Sequence, residues 1–311
     1  MDAGEKKEVS LGDGTMRAAM KKCVSEMIRE NDNTILLLID IGAFGFREFM
    51  DKYPDQVKNI GIFEPGIIGI AAGISLTGIV PTVYGISPFI VQRALEQLKL
   101  DFVYQKTGGN FITTGASYDF SELGYSHYCS EDIQTLKTLP GMEILVPGTP
   151  RQFETLFQEC CMNGKPSYFR MTDHCNQHDP DVVFGKAAVL KHGKKATVVT
   201  FAEMMDVTLE ACRDLDVTVL YYTTAEPFDY AALRNSIVNH KVFVSQPFYE
   251  GTFYADVIRA AKGMRIEIDG MGVPLTILRS YGTKNEKDIH LGFTASNIKQ
   301  KIQNFIENPD C

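Results

Sequence analysis

Several features that would assign this 311-residue chain to a common functional class are missing from its sequence. It has no basic run and no basic patch interleaved with aromatic residues, and its formal charge is -8, which argues against nucleic-acid binding. No apolar stretch approaches the roughly 18 to 20 residues of a membrane span. The polar start of the sequence, MDAGEKKEVS, is not typical of a signal peptide, so we expect a cytoplasmic protein with no membrane partner.

The cysteines do not indicate a disulfide framework or a metal site. Seven of them are scattered from residue 23 to residue 311, none in a C-x-x-C pair, which favours reduced thiols. One segment contains residue types that can bind a metal ion, but the sequence offers no second pair of metal ligands at a known spacing. These residues are Asp173, His174, Cys175, His178 and Asp179. We interpret the segment as a polar loop and predict no metal ligand in this chain.

The composition is that of a globular α/β protein, with 44% hydrophobic and 23% charged residues. The run Thr34 to Asp40, TILLLID, is typical of a strand buried on both faces of a parallel sheet. Strands near residues 60, 83, 112, 144 and 168 alternate with helices near 16–29, 67–76, 89–100, 131–139 and 152–161. This alternation predicts an open, mostly parallel sheet with helices on both faces.

A second, shorter alternation predicts another domain of the same class. Strands are expected near 197–201, 218–222, 242–245 and 265–268, with a final helix over 294–306. The predicted domain boundaries are a flexible leader over residues 1–14, a first domain over 15–175, a linker over 176–194 and a second domain over 195–311. A chain of this length can give both domains full cores.

The stretch Asn59 to Gly73, NIGIFEPGIIGIAAG, places one carboxylate, Glu64, between an apolar strand and a glycine-rich helix. Pro65 suits the first helical turn, and the recurring glycines give the helix a small-residue face. The simplest interpretation of Glu64 is a carboxylate at a helix N-terminus, where the macrodipole favours negative charge. The flanking residues are too apolar for a solvated cap, so we infer a functional carboxylate.

Three blocks of the sequence resemble one enzyme family in the family's own order. They are G-I-F-E-P-G-I-I-G-I-A-A-G, then V-P-T-V-Y-G-I-S-P-F with R-A-L-E-Q, then E-L-G-Y-S-H-Y-C-S-E-D-I-Q-T-L-K-T-L-P-G-M-E-I-L-V-P. Together they resemble the pyrimidine-binding half of the transketolase-like thiamine diphosphate enzymes, and the C-terminal part resembles the transketolase C-terminal domain. The resemblance implies a thiamine diphosphate cofactor and a transferase activity.

The resemblance also implies roles for individual residues. Glu64 matches the family glutamate that hydrogen-bonds a ring nitrogen of the cofactor's aminopyrimidine and so activates the cofactor. Phe89 lies where the family places an aromatic ring against the pyrimidine, although a core Phe at a strand-to-helix junction is the alternative. His127 matches the histidine of G-x-T-H, which faces the reacting carbons, although a structural His is the alternative. Three further residues are expected to line the cofactor pocket: Tyr84, Ile86 and Gln92.

The sequence departs from the family at the positions that bind substrate. Gly115 stands where transketolases carry a second substrate His, and Leu123 stands where they carry an Asp for a donor hydroxyl. Asp173 stands near the place of a phosphate-binding Arg, with Arg170 close by, and Phe44 replaces a polar phosphate contact. We expect a less hydroxylated 2-keto donor, such as pyruvate, or an acceptor that is unphosphorylated or carrier-linked. His127, Leu123, Gly115 and Arg170 are the predicted substrate residues.

The resemblance covers only one half of a complete thiamine enzyme. The diphosphate and Mg²⁺ motif, G-D-G…N, is expected on a separate partner subunit, with two copies of each chain in the assembly. The Gly12-Asp13-Gly14 of this chain follows a polar leader and has no Asn at the required distance, so we do not interpret it as that motif. The substrates are expected to be a small keto donor and a carbonyl acceptor such as a sugar.

Two alternatives remain open from the sequence. A beta subunit of a 2-oxoacid dehydrogenase would more often follow a G-x-x-x-Q-H-S pattern, and the Gly-Tyr-Ser-His of this chain is closer to the transketolase form. A non-catalytic scaffold subunit would keep the fold without the chemistry. Retention of Glu64, Phe89 and His127 argues against the scaffold, whereas Gly115 and Leu123 keep it open.

Overall fold

The computed structural model describes residues 14–307 of the chain. The predicted leader of residues 1–14, with its Gly-Asp-Gly sequence, lies outside the described residues except for Gly14. Within the described range no helix has the length and apolar character needed to cross a membrane. The six cysteines of this range are free thiols.

Twelve strands run through residues 14–307, numbered here in chain order. They are β1 (Thr34–Leu38), β2 (Val57–Asn59), β3 (Val80–Ile86), β4 (Gly109–Thr114), β5 (Glu143–Leu145), β6 (Pro166–Arg170), β7 (Ala187–Lys191), β8 (Ala196–Phe201), β9 (Val217–Tyr222), β10 (Thr224–Glu226), β11 (Lys241–Tyr249) and β12 (Glu267–Val273).

Helices fill the connections between these strands. The α-helices of the described range are α1 (Met16–Glu30), α2 (Arg47–Lys52), α3 (Glu64–Ser75), α4 (Ser87–Val91), α5 (Leu95–Gln97), α6 (Asp132–Leu136), α7 (Pro150–Cys160), α8 (Met205–Ala211), α9 (Tyr230–Ser236), α10 (Tyr254–Ala260), α11 (Lys284–Leu291) and α12 (Ala295–Glu307). A π-helix (Leu98–Tyr104) continues from α5, and 3-10 turns cover Ala43–Phe46, Ser121–Leu123, Tyr125–His127 and Ala202–Met204.

The first sheet has the strand order β10-β5-β6-β4-β3-β1-β2. Strands β1 to β6 pair in parallel with one another, and β10 is antiparallel to β5 at the edge of the sheet. In β1 the side chains alternate between two cores, because Leu36 and Leu38 pack in the layer of α1 and α7, whereas Leu37 packs in the layer of α3 and α4. The prediction of a parallel sheet covered by helices on both faces is therefore confirmed.

The second sheet has the strand order β12-β11-β8-β9-β7. Its strands β8, β9, β11 and β12 are parallel, as the second alternation predicted, and β7 is antiparallel to β9. Strand β7 (Ala187–Lys191) lies inside the segment 176–194 that the sequence suggested was a linker. Its side chains are mostly half-buried at the sheet edge, so its sequence carries only a weak strand signal.

Two further features differ from the sequence-based expectation. The helix expected over 89–100 is divided into α4, a turn at residues 92–94, α5 and the π-helix. Strand β10 comes from the second alternation of the chain but completes the first sheet, which ties the two halves together. The carboxyl ends of the central parallel strands meet at one edge of the first sheet, where ligands bind in open α/β sheets.

Candidate active site

Glu64 begins helix α3 directly after the short connection from β2. Its side chain is buried, with a residue exposure of only 4%, which excludes a solvated helix cap. Pro65 follows in the first turn, and a Cβ on Gly66 would lie 1.8 Å from the Phe63 ring. Gly66 thus leaves room for the Phe63 ring, which lies across the start of the helix that carries the carboxylate.

Arg93 is the charged partner of Glu64. Its Nη1 lies 3.4 Å from Glu64 Oε1, and its guanidinium carbon lies 3.9 Å from the centroid of the Phe89 ring. Phe89 belongs to α4, at the carboxyl end of β3, and Arg93 lies in the turn that ends this helix. Three elements thus bring one carboxylate, one aromatic face and one guanidinium together.

His127 completes this group from the connection after β4. Its ring meets the Phe89 ring edge-on, with centroids 5.2 Å apart, and its Nδ1 lies 3.1 Å from Ser126 Oγ. Burial and the nearby Arg93 charge both lower the pKa of His127 from its ordinary value, burial being the larger cause. The imidazole is therefore neutral at neutral pH and available to accept or donate a hydrogen bond.

The loop that carries His127 is fixed at its base. Ser117 and Cys129 form an isolated β-bridge, with the Cys129 amide donating to the Ser117 carbonyl at 2.7 Å. The Ser117 hydroxyl accepts from Arg170 Nη2 at 2.6 Å and donates to the Pro247 carbonyl. These bonds hold the loop against both sheets, so the position of His127 depends on the packing of both halves of the chain.

Arg170, which the sequence predicted as a substrate residue, lies in a buried network of ion pairs. It is 1% exposed, and its guanidinium pairs with Asp132 at 3.0 Å and with Glu203 at 3.1 Å. Its guanidinium also stacks over Phe248 at 4.7 Å. The charge of Arg170 is therefore compensated by two buried carboxylates, and its role as a substrate residue stays a prediction.

Glycine at position 115 leaves room for the ring of Phe120. Gly115 has a φ of +83°, and a Cβ built on it would lie 2.7 Å from the Phe120 ring. Phe120 in turn lies 6.4 Å from the His127 ring, centroid to centroid. A side chain at position 115 would therefore meet an aromatic ring. Leu123, at the end of a 3-10 turn, is 54% exposed and offers an apolar surface.

The three weaker candidates for the cofactor pocket do not form one group. Ile86 ends β3 and is half-buried, with its Cγ2 3.5 Å from the Cβ position of Gly115. Gln92 is exposed, and its amide donates to the Glu131 carboxylate at the start of α6. Tyr84 is 2% exposed and packs on the α1 side of the sheet, where burial raises its pKa to about 12.

Arg17 is a residue near this sheet edge that the sequence did not suggest. It lies in the first turn of α1, which begins because Thr15 Oγ1 accepts a hydrogen bond from the Ala18 amide. Its Nη2 pairs with Asp173 at 2.6 Å, its guanidinium lies over Phe120 at 5.6 Å, and its buried Nε has no partner among residues 14–307. Asp173 is therefore neutralised by a cation from another element.

A cavity of about 80 Å³ lies beside this ion pair. Arg17, Lys21 and Tyr84 line it together with apolar side chains and two glycines: Met20, Ile41, Gly42, Gly45 and Phe46. A Cβ on Gly42 would lie 2.6 Å from the Tyr84 ring, so glycine at this position leaves room for the ring in the cavity wall. Phe44, another departure from the family pattern, lies between Gly42 and Gly45 in the sequence. It is 68% exposed, and the Arg47 guanidinium covers part of its ring.

The polar segment after β6 uses its side chains in hydrogen bonds and ion pairs within the chain. Asp179 accepts from Thr149 and from Arg151, each at 2.6 Å. His178 Nδ1 lies 2.9 Å from Asp206 Oδ1. These contacts tie the segment to α7 and α8, as expected of a polar loop between the two sheets.

Comparison with known protein families gives two matches that follow each other along the chain. The family model described as the transketolase pyrimidine binding domain matches residues 13–174, and the model described as the transketolase C-terminal domain matches residues 185–298. The first match alone covers half of the chain. Its range includes Glu64, Phe89, His127 and Arg93.

Similar proteins cover nearly the same length. An uncharacterized 33.6 kDa protein in the fasciation locus of Rhodococcoides fascians is 31% identical over 94% of this chain and 95% of that protein. An apulose-4-phosphate transketolase subunit of Actinobacillus succinogenes is 26% identical over 80% of this chain and 85% of that protein. A solved structure of a split gene transketolase, an inactive beta4 tetramer, shares the fold, with a TM-score of 0.82, 24% identity, and coverage of 95% of this chain and 99% of that one.

Proposed function

The chain belongs to the transketolase family, and from this premise we propose that it is one subunit of a split, thiamine diphosphate-dependent transferase. In this proposal it moves a two-carbon ketol or acyl unit from a 2-keto donor to an aldehyde or ketone acceptor. The observation that carries the proposal is the convergence of Glu64, Phe89 and His127 at the carboxyl edge of the first sheet.

The residues present fit the aminopyrimidine of the cofactor. Arg93 shows what the site accepts, because a flat, delocalised group lies on the Phe89 face while its N–H points to the Glu64 carboxylate. An aminopyrimidine offers the same two features, a flat ring and a nitrogen able to share a proton with a carboxylate. Glu64 and Phe89 would hold it, with Ile86 nearby.

When bound, thiamine diphosphate supplies the carbanion chemistry that breaks and forms the C–C bonds. Glu64 holds or moves a proton at the ring nitrogen, and its burial removes competing water. His127, neutral and edge-on to Phe89, faces the reacting carbons and exchanges a proton with a substrate oxygen. When the C–C bond of the donor breaks, its other fragment leaves, as CO₂ from pyruvate or as an aldehyde from a ketose. The two-carbon unit then forms one C–C bond to the acceptor carbonyl carbon, and the acceptor oxygen takes up a proton, so no oxidant is needed.

We propose that a separate partner subunit carries the diphosphate and Mg²⁺ site, with two copies of each chain. Two relatives support a split enzyme, since one is named as a subunit of a transketolase and the other as a split gene transketolase. The surface next to Glu64 also favours a partner, because Ile62 and Phe63 are 71% and 58% exposed. Apolar side chains beside a catalytic carboxylate are best explained by burial against another chain.

The substrate proposal rests on the donor side of the site. A side chain at position 115 would meet the Phe120 ring, and the exposed Leu123 cannot bond a donor hydroxyl, so an unsatisfied hydroxyl would disfavour ketose donors. We therefore propose a donor with fewer hydroxyl groups, such as pyruvate. The charge argument is weaker than the sequence suggested, because Arg17 restores a positive charge beside Asp173.

Donor screening of the complete enzyme tests this function. This chain and a partner with the G-D-G…N motif would be combined with thiamine diphosphate and Mg²⁺, and product formation from pyruvate and from xylulose 5-phosphate would be compared. Faster turnover of pyruvate supports the proposal, and efficient turnover of xylulose 5-phosphate contradicts its substrate part. Transfer only to lipoamide would instead support the dehydrogenase alternative. The cytoplasmic location expected from the sequence stays a prediction.

A further inference from the structure

Arg93 uses both contacts that the aminopyrimidine would need. Its guanidinium carbon lies 3.9 Å from the Phe89 centroid, which is full van der Waals contact, and Nη1 lies 3.4 Å from Glu64 Oε1. His127 approaches the same phenyl ring edge-on at 5.2 Å. Since one guanidinium reaches both the ring and the carboxylate, it covers the Phe89 face on the Glu64 side.

We propose that Arg93 is an internal competitor of the cofactor, which has to leave Phe89 and Glu64 before the aminopyrimidine can occupy the same face and the same oxygen. This inference rests on the proposed function, because it takes the aminopyrimidine as the ligand of these two residues. Beside the residues that bind the cofactor, the site would then hold one residue that lowers the affinity for it.

The local structure allows Arg93 to move at low cost. Its side chain is 51% exposed, whereas that of Glu64 is only 5% exposed, so the arginine can turn into solvent while the carboxylate stays in place. Arg93 lies in the turn at residues 92–94 between α4 and α5, outside any regular helix. No second carboxylate pairs with its guanidinium among residues 14–307.

The charge of Arg93 also reaches His127. It contributes to the lowered pKa of this histidine, after burial. Replacement of Arg93 by a neutral residue should therefore raise the pKa of His127 in the cofactor-free chain. This readout needs neither the partner subunit nor turnover.

The test compares Arg93→Met and Arg93→Gln with wild type, and uses Arg29→Met as a matched control. Arg29 also lies over an aromatic ring, 5.0 Å from the Phe49 centroid, but it belongs to α1 and has no contact with Glu64. Calorimetric titration of thiamine diphosphate with Mg²⁺ into the heteromer gives the affinity. NMR titration of the imidazole of His127 in this chain alone gives its pKa.

We expect Arg93→Met to bind the cofactor roughly 3- to 20-fold more tightly, as expected for the loss of one exposed ion pair and one cation–π contact. Arg29→Met should bind as wild type does, and both Arg93 variants should raise the pKa of His127. Equal or weaker binding by Arg93→Met, when wild type binds, overturns the inference. If neither wild type nor any variant binds, the proposed function fails as well, which distinguishes the two failures.

Discussion

Replacement of Gly115 by alanine tests why the family's second substrate histidine is absent. At the φ of +83° an L side chain costs about 1–2 kcal/mol, and the new Cβ would lie 2.7 Å from the Phe120 ring. Forcing an extra carbon into a packed contact costs about 1–3 kcal/mol more. We therefore expect Gly115→Ala to lower the free energy of unfolding by about 2–5 kcal/mol.

Gly141 provides the matched control. Its φ is +86°, nearly that of Gly115, but no atom lies within 4 Å of its Cβ position. Gly141→Ala should therefore lose only the backbone part, about 1–2 kcal/mol. Urea denaturation followed by circular dichroism measures both values, provided that the slope of the transition is unchanged. Equal losses in the two variants, within about 0.5 kcal/mol, would refute the clash with Phe120.

Three further predictions follow from the charged and apolar residues of the site. Arg170→Met should destabilise the chain by about 3–5 kcal/mol, because it removes the cation that pairs with the buried carboxylates of Asp132 and Glu203, and thermal unfolding measures this loss. Burial raises the pKa of Asp119 to about 7, so between about pH 4 and pH 7 the folded chain binds more protons than the unfolded chain. The free energy of unfolding should therefore fall as the pH rises through this range. Asp119→Asn should remove this pH dependence, which denaturation curves at several pH values measure. Leu123→Asp should raise the kcat/KM of the complete enzyme for a hydroxylated ketose relative to pyruvate, because it restores an acceptor for the donor hydroxyl; an unchanged ratio in donor competition would contradict this role.

The sequence was sufficient to predict the fold, and it singled out the residues that we propose for the centre of the site. Continuous apolar runs such as TILLL in β1 are typical of strands buried on both faces, so the parallel sheet could be predicted. Glu64 could be found because a charged residue among apolar neighbours and glycines needs a reason other than solvation. Phe89 and His127 followed from the family pattern, and the structure brings their rings together.

The residues that surround this centre could not be predicted, because their roles depend on tertiary contacts. Arg93 reaches Glu64 from the turn at residues 92–94, where the sequence predicted a continuous helix. Arg17 comes from α1, remote in sequence from its partner Asp173. Arg170 was predicted as a substrate residue because it lies close in sequence to Asp173; in the structure its side chain is buried and pairs with Glu203 of the second half. Sequence spacing does not encode such side-chain directions.

Proton exchange at the reactive carbon of bound thiamine diphosphate most directly tests the role that we propose for Glu64. The heteromer of this chain and its partner would be loaded with thiamine diphosphate and Mg²⁺, and exchange with deuterium would be followed by NMR for wild type and for Glu64→Gln. The glutamine keeps the size of the side chain but cannot hold the proton at the ring nitrogen. We predict that exchange slows by at least about 100-fold in the variant. Equal exchange rates in the two enzymes would contradict the assignment of Glu64 as the activating carboxylate.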